Sequence, residues 1–146
     1  MENKQIGRKV RHLARALKKT ADAECMNQIN LGLTTMEGMT VFRIGRLGGA
    51  VQTSELLSVL RISKSTLSEL LSSLEKKDYL VYAQTTSDKR KKSIVLTQKG
   101  QEHIERANKI FTEFEKKITE GIDEKDLEAF ERVYLKMLMN IGEESL

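Results

Sequence analysis

Apolar residues recur at helical spacing over the first twenty positions of the chain. Ile6, Val10, Leu13 and Leu17 are four, three and four residues apart, which places their side chains on one face of an α-helix. Lysine and arginine fill much of the opposite face. The pattern predicts an N-terminal helix with a narrow apolar stripe, the kind of stripe that packs against another helix.

A capping signal marks the start of a second helix. Thr34 is followed three positions later by Glu37, the pair of residues that forms a capping box at a helix N-terminus. Helical spacing of apolar residues then continues to Gly48 and Gly49, where glycine favours a helix end. We therefore predict one helix between these two signals.

The next segment predicts two short helices joined by a tight turn. The first begins at Thr53, residues 61–63 form the turn, and Ser63 is an N-cap for the second. Four leucines of that second helix share one face, which should therefore be buried: Leu67, Leu70, Leu71 and Leu74. Small and charged side chains occupy the other face. This is the helix-turn-helix arrangement, in which the second helix enters a DNA major groove.

Two alternating segments follow and predict a β-hairpin. Residues 79–82 and 93–96 have the composition of short strands, and the residues between them are turn formers and cations. A hairpin after a helix-turn-helix is a wing, and its narrow tip can reach a minor groove, where the negative potential favours arginine. Asp88 is expected to accept hydrogen bonds from Arg90 or from turn amides and so to fix the tip.

The C-terminal third predicts two further helices with narrow apolar stripes. One follows Thr97, and the other follows Asp123. These stripes could pack within one chain, but the small winged region offers little surface to cover. We therefore predict a homodimer built from both ends of the chain. The expected dimer contacts are Ile6, Val10, Leu13, Leu17, Phe111, Phe114, Ile118, Phe130, Tyr134, Met137 and Ile141.

Together these elements predict a mainly α fold with a small β-hairpin wing, organised as one structural unit. Residues 1–32 form an N-terminal dimerisation helix, residues 33–100 a winged helix-turn-helix DNA-binding region, and residues 101–146 the C-terminal dimerisation helices. Composition agrees with this prediction, because the chain has no proline, no tryptophan and only 5% aromatic residues. An all-β protein is not expected from such a chain.

Charge distribution adds a functional indication. Residues 61–100 carry nine Lys and Arg against four Asp and Glu, whereas residues 101–146 carry seven against twelve. A polyanion should therefore meet the middle segment, although charge runs are also common on solvated surfaces. The single cysteine, Cys25, excludes an internal disulfide. With no secretory leader and no apolar run near the ~18 residues of a membrane span, we expect a cytoplasmic protein without a membrane partner.

These motifs resemble the MarR (multiple antibiotic resistance regulator) family of bacterial transcriptional regulators over nearly the whole chain. The family's wing pattern is Asp-x-Arg, three residues, an aliphatic, one residue and Leu-Thr-x-x-Gly. It stands here as Asp88, Arg90, Ile94, Leu96, Thr97 and Gly100. Asp78 replaces the glycine that usually ends the family's recognition helix, and aspartate tolerates the left-handed backbone needed there. The resemblance implies a homodimer on an inverted repeat, with Arg90 in the minor groove.

We therefore predict a sequence-specific double-stranded DNA-binding regulator, a ligand-responsive repressor of a palindromic operator. The expected DNA contacts are Lys64, Ser65, Thr66, Ser68, Glu69, Ser72, Lys89, Arg90, Lys91 and Lys92, with Asp88 supporting the wing. Many members of the family release DNA when an aromatic or anionic small molecule binds. The corresponding crevice residues would be Met26, Met36, Met39 and Phe42, which could equally be ordinary core.

Three alternatives stay open at this point. The winged helix could instead dock an acidic partner protein. A metal-sensing variant could use His12, Glu24, Cys25 and His103, although these residues do not cluster in sequence as zinc ligands do. Cys25 could act as a redox switch, although a lone cysteine is more often a small buried hydrophobe. Neither histidine has a partner at catalytic spacing, and no glycine-rich phosphate loop occurs, so neither an enzyme nor a cofactor is predicted.

Overall fold

The structure is a computed structural model that describes residues 5–85 and 88–143; within the wing it describes the side chains up to Gln84 and from Lys92 onward. The chain divides into two compact units, Met1–Phe114 and Glu115–Leu146. The elements in chain order are α1 (Ile6–Ala21), a π-helical segment (Asp22–Met26), α2 (Asn27–Asn30), α3 (Thr35–Arg46), β1 (Ala50–Val51), α4 (Thr53–Leu60), α5 (Lys64–Lys76), β2 (Leu80–Thr85), β3 (Asp88–Leu96), α6 (Gln98–Thr119) and α7 (Glu124–Ile141). The predicted mainly α fold with a small β wing is confirmed.

The core of the first unit lies between α3, α4, α5 and the sheet. It is built from twelve buried apolar and aromatic side chains: Leu33, Val41, Ile44, Val51, Leu56, Leu67, Leu71, Leu74, Tyr79, Leu80, Ile94 and Leu96. Three of the four leucines predicted on the inner face of α5 belong to this core, and Leu70 is only half-buried. Burial of this face leaves the polar face of α5 in solvent.

The capping residues predicted from sequence form the expected hydrogen bonds. Thr34 Oγ1 accepts from the backbone N–H of Glu37 at 3.2 Å, and the Glu37 carboxylate accepts from the backbone N–H of Thr34 at 2.8 Å. Ser63 Oγ likewise accepts from the backbone N–H of Thr66 at 3.1 Å. These caps satisfy amides that have no partner inside the helix, and they fix where α3 and α5 begin.

The sheet differs from the predicted hairpin in having a third strand. Its order is β1-β3-β2, and both pairs are antiparallel. β1 is two residues long, with Ala50 opposite Val95 and Val51 opposite Ile94. So short a strand leaves no periodic signal, and it exists because β3 offers an edge to pair with. The two wing strands are also longer than predicted, and their register shifts between Gln84 and Thr85.

Two backbone features fix the junction between α5, the wing and α6. Asp78 has φ 63°, so it adopts the left-handed conformation expected where the family usually carries glycine. Gly100 lies in the first turn of α6, where a Cβ atom would collide with the backbone carbonyl of Tyr79. Thr97 Oγ1 donates to the carbonyl of Asp78. The first turn of α6 is therefore held directly against the start of β2.

Segments near both ends of the chain expose much of their apolar surface. None of the α1 residues is buried, and the exposed fractions of Ile6, Val10 and Leu13 are 46%, 45% and 48%. In the second unit α7 also has no buried residue, and Phe130 and Ile141 are 60% and 73% exposed. Phe114, by contrast, is buried within the chain. In the described ranges, every helix is too short or too polar to cross a bilayer.

Candidate nucleic-acid interface

The outer face of α5 presents the predicted recognition residues to solvent. All six predicted contacts on this helix are exposed: Lys64, Ser65, Thr66, Ser68, Glu69 and Ser72. Their exposure follows from the helical period, because the leucines that alternate with them are in the core. Five residues along the same side line a shallow depression of about 430 Å³: Ser68, Glu69, Ser72, Ser73 and Lys76.

Hydroxyl groups cluster at the first turn of α5. Ser63 Oγ lies 3.0 Å from Ser65 Oγ and 2.8 Å from Thr66 Oγ1. The cluster surrounds the N-terminal amides, where the helix dipole favours an anion. Exposed Lys64 adds a formal positive charge at the same end. This turn has the donors and the charge that a DNA phosphate requires.

The wing is anchored to the helix-turn-helix at its base. Gln52, which precedes α4, donates from Nε2 to Ser93 Oγ on β3 at 2.9 Å. Lys92 is exposed and lies opposite Gln84 across the β2–β3 pair. The side chains of Asp88, Lys89, Arg90 and Lys91 lie outside the described residues, so their DNA contacts and the Asp88–Arg90 pair stay predictions.

Sequence analysis identified Glu37 as a capping residue and missed its tertiary role. Its carboxylate also accepts from Ser73 Oγ at 2.5 Å and from Lys77 Nζ at 2.8 and 3.1 Å. Burial alone would raise the pKa of Glu37, but the hydrogen bonds from Lys77, Ser73 and the Thr34 backbone outweigh it and lower the pKa to about 2. Glu37 is therefore a carboxylate that joins α3 to the end of α5. Ser73 and Lys77 lie 36 and 40 positions after Glu37, and no local sequence pattern pairs residues so far apart.

A separate cavity of about 410 Å³ lies among residues of the first unit. Three of the four predicted crevice residues line it, namely Met26, Met39 and Phe42, whereas Met36 does not. Sequence analysis missed most of the remaining lining residues: Ile29, Asn30, Gly38, Arg43, Arg46, His103 and Ala107. Phe111, predicted as a dimer contact, also lines the cavity. The lining is thus mainly apolar and includes two arginines.

Two polar residues of this cavity are themselves buried. Asn30 and His103 are 8% and 1% exposed, and within the described part of the chain Asn30 Oδ1 and His103 Nδ1 have no hydrogen-bond partner. Burial and the positive charge of Arg106 lower the pKa of His103, against the opposing effect of its hydrogen bond to the backbone of Gly38. His103 is therefore expected to be neutral at pH 7.

The residues considered for metal or redox sensing do not come together as a site. Nowhere in residues 5–85 and 88–143 do three or more His, Cys, Asp or Glu side chains gather in a group that could hold a metal ion. His103 lines the cavity, whereas His12 is exposed on α1. Cys25 is 3% exposed, and a sensing thiol needs access to its oxidant. The geometry therefore supports neither sensing variant.

Comparison with known proteins gives a match to one family model. Residues 31–91 match the family model described as "MarR family". This range contains α3, α4, α5 and most of the wing. A search of curated protein sequences gives no match.

Solved structures with the same fold include proteins from two bacteria. MepR, a transcription regulator of the Staphylococcus aureus multidrug efflux pump MepA, is 24% identical with a TM-score of 0.74; the match covers 91% of this chain and 96% of MepR. The S. aureus MepR–DNA complex is 25% identical with a TM-score of 0.68, covering 90% and 96%.

The heme sensor protein PefR from Streptococcus agalactiae, in complex with heme, is 22% identical with a TM-score of 0.63, covering 97% of this chain and 96% of PefR. MepR is thus described as a transcription regulator and PefR as a heme sensor protein. Over its winged helix-turn-helix region, residues 31–91, the chain matches the MarR family.

Proposed function

We propose that this chain is a sequence-specific double-stranded DNA-binding transcriptional regulator that represses a palindromic operator as a homodimer. The observation that carries the proposal is the outer face of α5, where six polar or charged residues are exposed beside a basic wing. Small hydroxyl side chains let a helix approach base edges closely, and lysine and arginine reach guanines and phosphates. That the similar regulator MepR has been solved with DNA supports the same role here.

The homodimer is proposed from the terminal helices. Ile6, Val10 and Leu13 form a half-exposed stripe on α1, and Phe130 and Ile141 are largely exposed on α7. Water contact with so many large apolar side chains is unfavourable. A second copy of the chain would cover them, and its two-fold symmetry would match an inverted repeat.

The proposal is tested by selecting bound sites from random duplexes and measuring the affinity for the selected site at several salt concentrations. We expect a palindrome with a fixed half-site gap. The logarithm of the affinity should fall steeply and linearly with the logarithm of the salt concentration, because phosphate contacts release counterions. No enriched site and a flat salt dependence would instead favour the alternative of a winged helix that docks an acidic protein.

The wing is tested by Arg90→Ala. We expect this change to weaken operator binding by about 1–3 kcal/mol while the protein keeps its oligomeric state, because an arginine in a narrow minor groove meets a strongly negative potential. Binding is measured by fluorescence anisotropy on the selected duplex. Lys109→Ala removes one exposed cation from α6 and serves as the control; equal effects of the two changes would contradict the wing assignment.

We further propose that the cavity makes the regulator ligand-responsive. Its apolar lining with Met39 and Phe42 suits an aromatic body, and Arg43 and Arg46 suit an anionic group. The heme complex of the similar sensor PefR supports a small-molecule partner of this kind. A ligand bound there should raise the melting temperature and release the operator duplex. An anionic ligand should lose affinity in Arg43→Gln, whereas a neutral one should not.

A further inference from the structure

The C-terminal end of α5 is held by polar bonds, unlike its middle. Glu37, 4% exposed, accepts from Ser73 in the last turn of α5 and from Lys77, the residue that caps this helix. Lys77 Nζ also lies 3.3 Å from the carbonyl of Gly32. The carbonyl of Lys77 accepts from Lys99 Nζ on α6 at 2.8 Å. Three neighbouring segments therefore hold one end of the helix.

Apolar and polar contacts fix different properties of such a helix. Burial of Leu67, Leu71 and Leu74 in the core is favourable but largely non-directional. A charge-assisted hydrogen bond has a preferred distance and angle. The leucines therefore hold α5 against the core, while the bonds of Glu37 determine its rotation and its shift along its own axis.

That rotation matters because the last turns of α5 also carry exposed groups. Ser72 precedes Ser73 in sequence, Lys76 precedes Lys77, and both line the shallow depression on the outer face. Base-edge hydrogen bonds tolerate displacements of only about 0.5 Å. A small turn of the helix would move the depression relative to a bound duplex, whereas contacts to the phosphate backbone would tolerate the shift better.

We infer that Glu37 is a positioning residue for sequence reading, which holds the recognition helix at the angle needed for base contacts without touching DNA itself. This inference rests on the proposed function, since it presumes that α5 reads a duplex. It assigns to one buried carboxylate a role in specificity beyond its capping of α3.

The test compares Glu37→Gln with Glu55→Gln. Glu55 has the same capping position on α4, where its carboxylate accepts from the backbone N–H of Gln52 at 2.7 Å, but it is exposed. Each protein is titrated with the duplex selected by the parent protein and with a scrambled duplex at one salt concentration. We expect Glu37→Gln to lower the specific-to-nonspecific affinity ratio by about tenfold and Glu55→Gln to change it less than about twofold.

The affinity ratio separates positioning from simple destabilisation. Unfolded molecules bind neither duplex, so a loss of folded protein lowers both affinities equally and leaves the ratio unchanged. If Glu37→Gln does not fold, Ser73→Ala is used, which removes one hydrogen bond and keeps the ion pair with Lys77. This variant should lower the ratio by about threefold.

Failure of the inference is distinguishable from failure of the proposed function. If the parent protein selects no site, the proposed function itself is wrong. If the parent selects a site and both Glu37→Gln and Ser73→Ala keep its specificity ratio, Glu37 is a structural residue only and the inference is overturned. An equal decrease of the affinity ratio in Glu55→Gln and in Glu37→Gln would also overturn the inference, because the effect would then arise from helix capping in general.

Discussion

The winged core and helix α1 are both amphipathic, yet only the core buries its apolar residues. Leu67 and Leu74 on α5 are fully buried, whereas Val10 and Leu13 on α1 are nearly half exposed. Both helices have apolar residues at the same spacing. The difference shows that periodicity specifies which face of a helix will be covered but not what covers it.

The ion pair in the winged core is also less exposed than the ion pair near the end of α1. Glu37 and Lys77 lie 40 positions apart in the sequence and meet only through packing. Their N···O distance is 2.8 Å, and the side chains of Glu37 and Lys77 are 5% and 38% exposed. Lys18, near the end of α1, and Asp22, the first residue of the π-helical segment, are also 2.8 Å apart, but their side chains are 77% and 55% exposed. An exposed pair is screened by water and contributes little, whereas removing one partner of a buried pair leaves a charge without compensation.

The largest expected effect comes from truncating one leucine in each region. Leu67→Ala should lower the free energy of unfolding by about 2–5 kcal/mol, because it removes a fully buried side chain and leaves a cavity. Leu13→Ala should change the free energy of unfolding of the winged core by less than about 0.5 kcal/mol. Urea denaturation followed by circular dichroism measures both changes.

Measurements at several protein concentrations provide a second test of the difference between Leu13→Ala and Leu67→Ala. If α1 packs against a second copy of the chain, the loss of free energy of unfolding caused by Leu13→Ala should be largest at high protein concentration. It should disappear on dilution, because the dimer contributes to stability only while it is populated. For a given degree of association, the loss of free energy of unfolding caused by Leu67→Ala should not change with protein concentration. If both variants lose the same free energy of unfolding at every protein concentration, the predicted difference between the buried core and the uncovered helix α1 is wrong.

A smaller effect is expected from acid, through Glu37. The pKa of this carboxyl in the folded protein is about 2, below the ordinary value of 4.5. Its contribution to stability is therefore complete above pH 4.5 and is lost as the pH falls towards 2. The shift corresponds to about 3 kcal/mol. We expect the free energy of unfolding, measured at pH 5, 3.5 and 2, to fall less steeply with decreasing pH in Glu37→Gln than in the parent protein.

The exposed pair of Lys18 and Asp22 provides the control for the acid experiment. Asp22→Asn removes the carboxylate that pairs with Lys18, and the free energy of unfolding at pH 7 should stay within about 0.5 kcal/mol of the parent value. Parallel stability profiles for Glu37→Gln and the parent protein between pH 5 and 2 would show that the buried carboxylate does not contribute as its contacts indicate.

Local signals predicted the helix boundaries of the winged region well. Thr34 and Ser63 cap the helices that they were expected to cap, because a hydroxyl bonded to an amide three residues away is a contact within one turn. Strand β1 was missed because its two residues form a strand only when β3 lies beside them. The π-helical segment at Asp22–Met26 was missed for a similar reason, since no motif marks it.

The two candidate sites also differ in how far the sequence predicted them. The outer face of α5 followed from the positions of its leucines. The crevice residues were instead what the family resemblance implies, and Met26, Met39 and Phe42 line the cavity. Met36, the fourth residue of that hypothesis, does not line the cavity.

Arg43, Arg46, Asn30 and His103 were not connected with the cavity. His103 comes from α6, far along the chain, whereas Arg43 and Arg46 lie on α3 within about one turn of Met39 and Phe42, a spacing that could have identified them.

The amino-acid sequence by itself determined the helices, their caps, the polar face of α5 and the basic composition of the wing, because each depends on residues within a few positions of one another. Tertiary structure alone decided that Glu37 meets Ser73 and Lys77, that β1 completes the sheet and that a cavity forms beside His103. These contacts join residues separated by 36 or more positions, and only packing of the core brings such residues together.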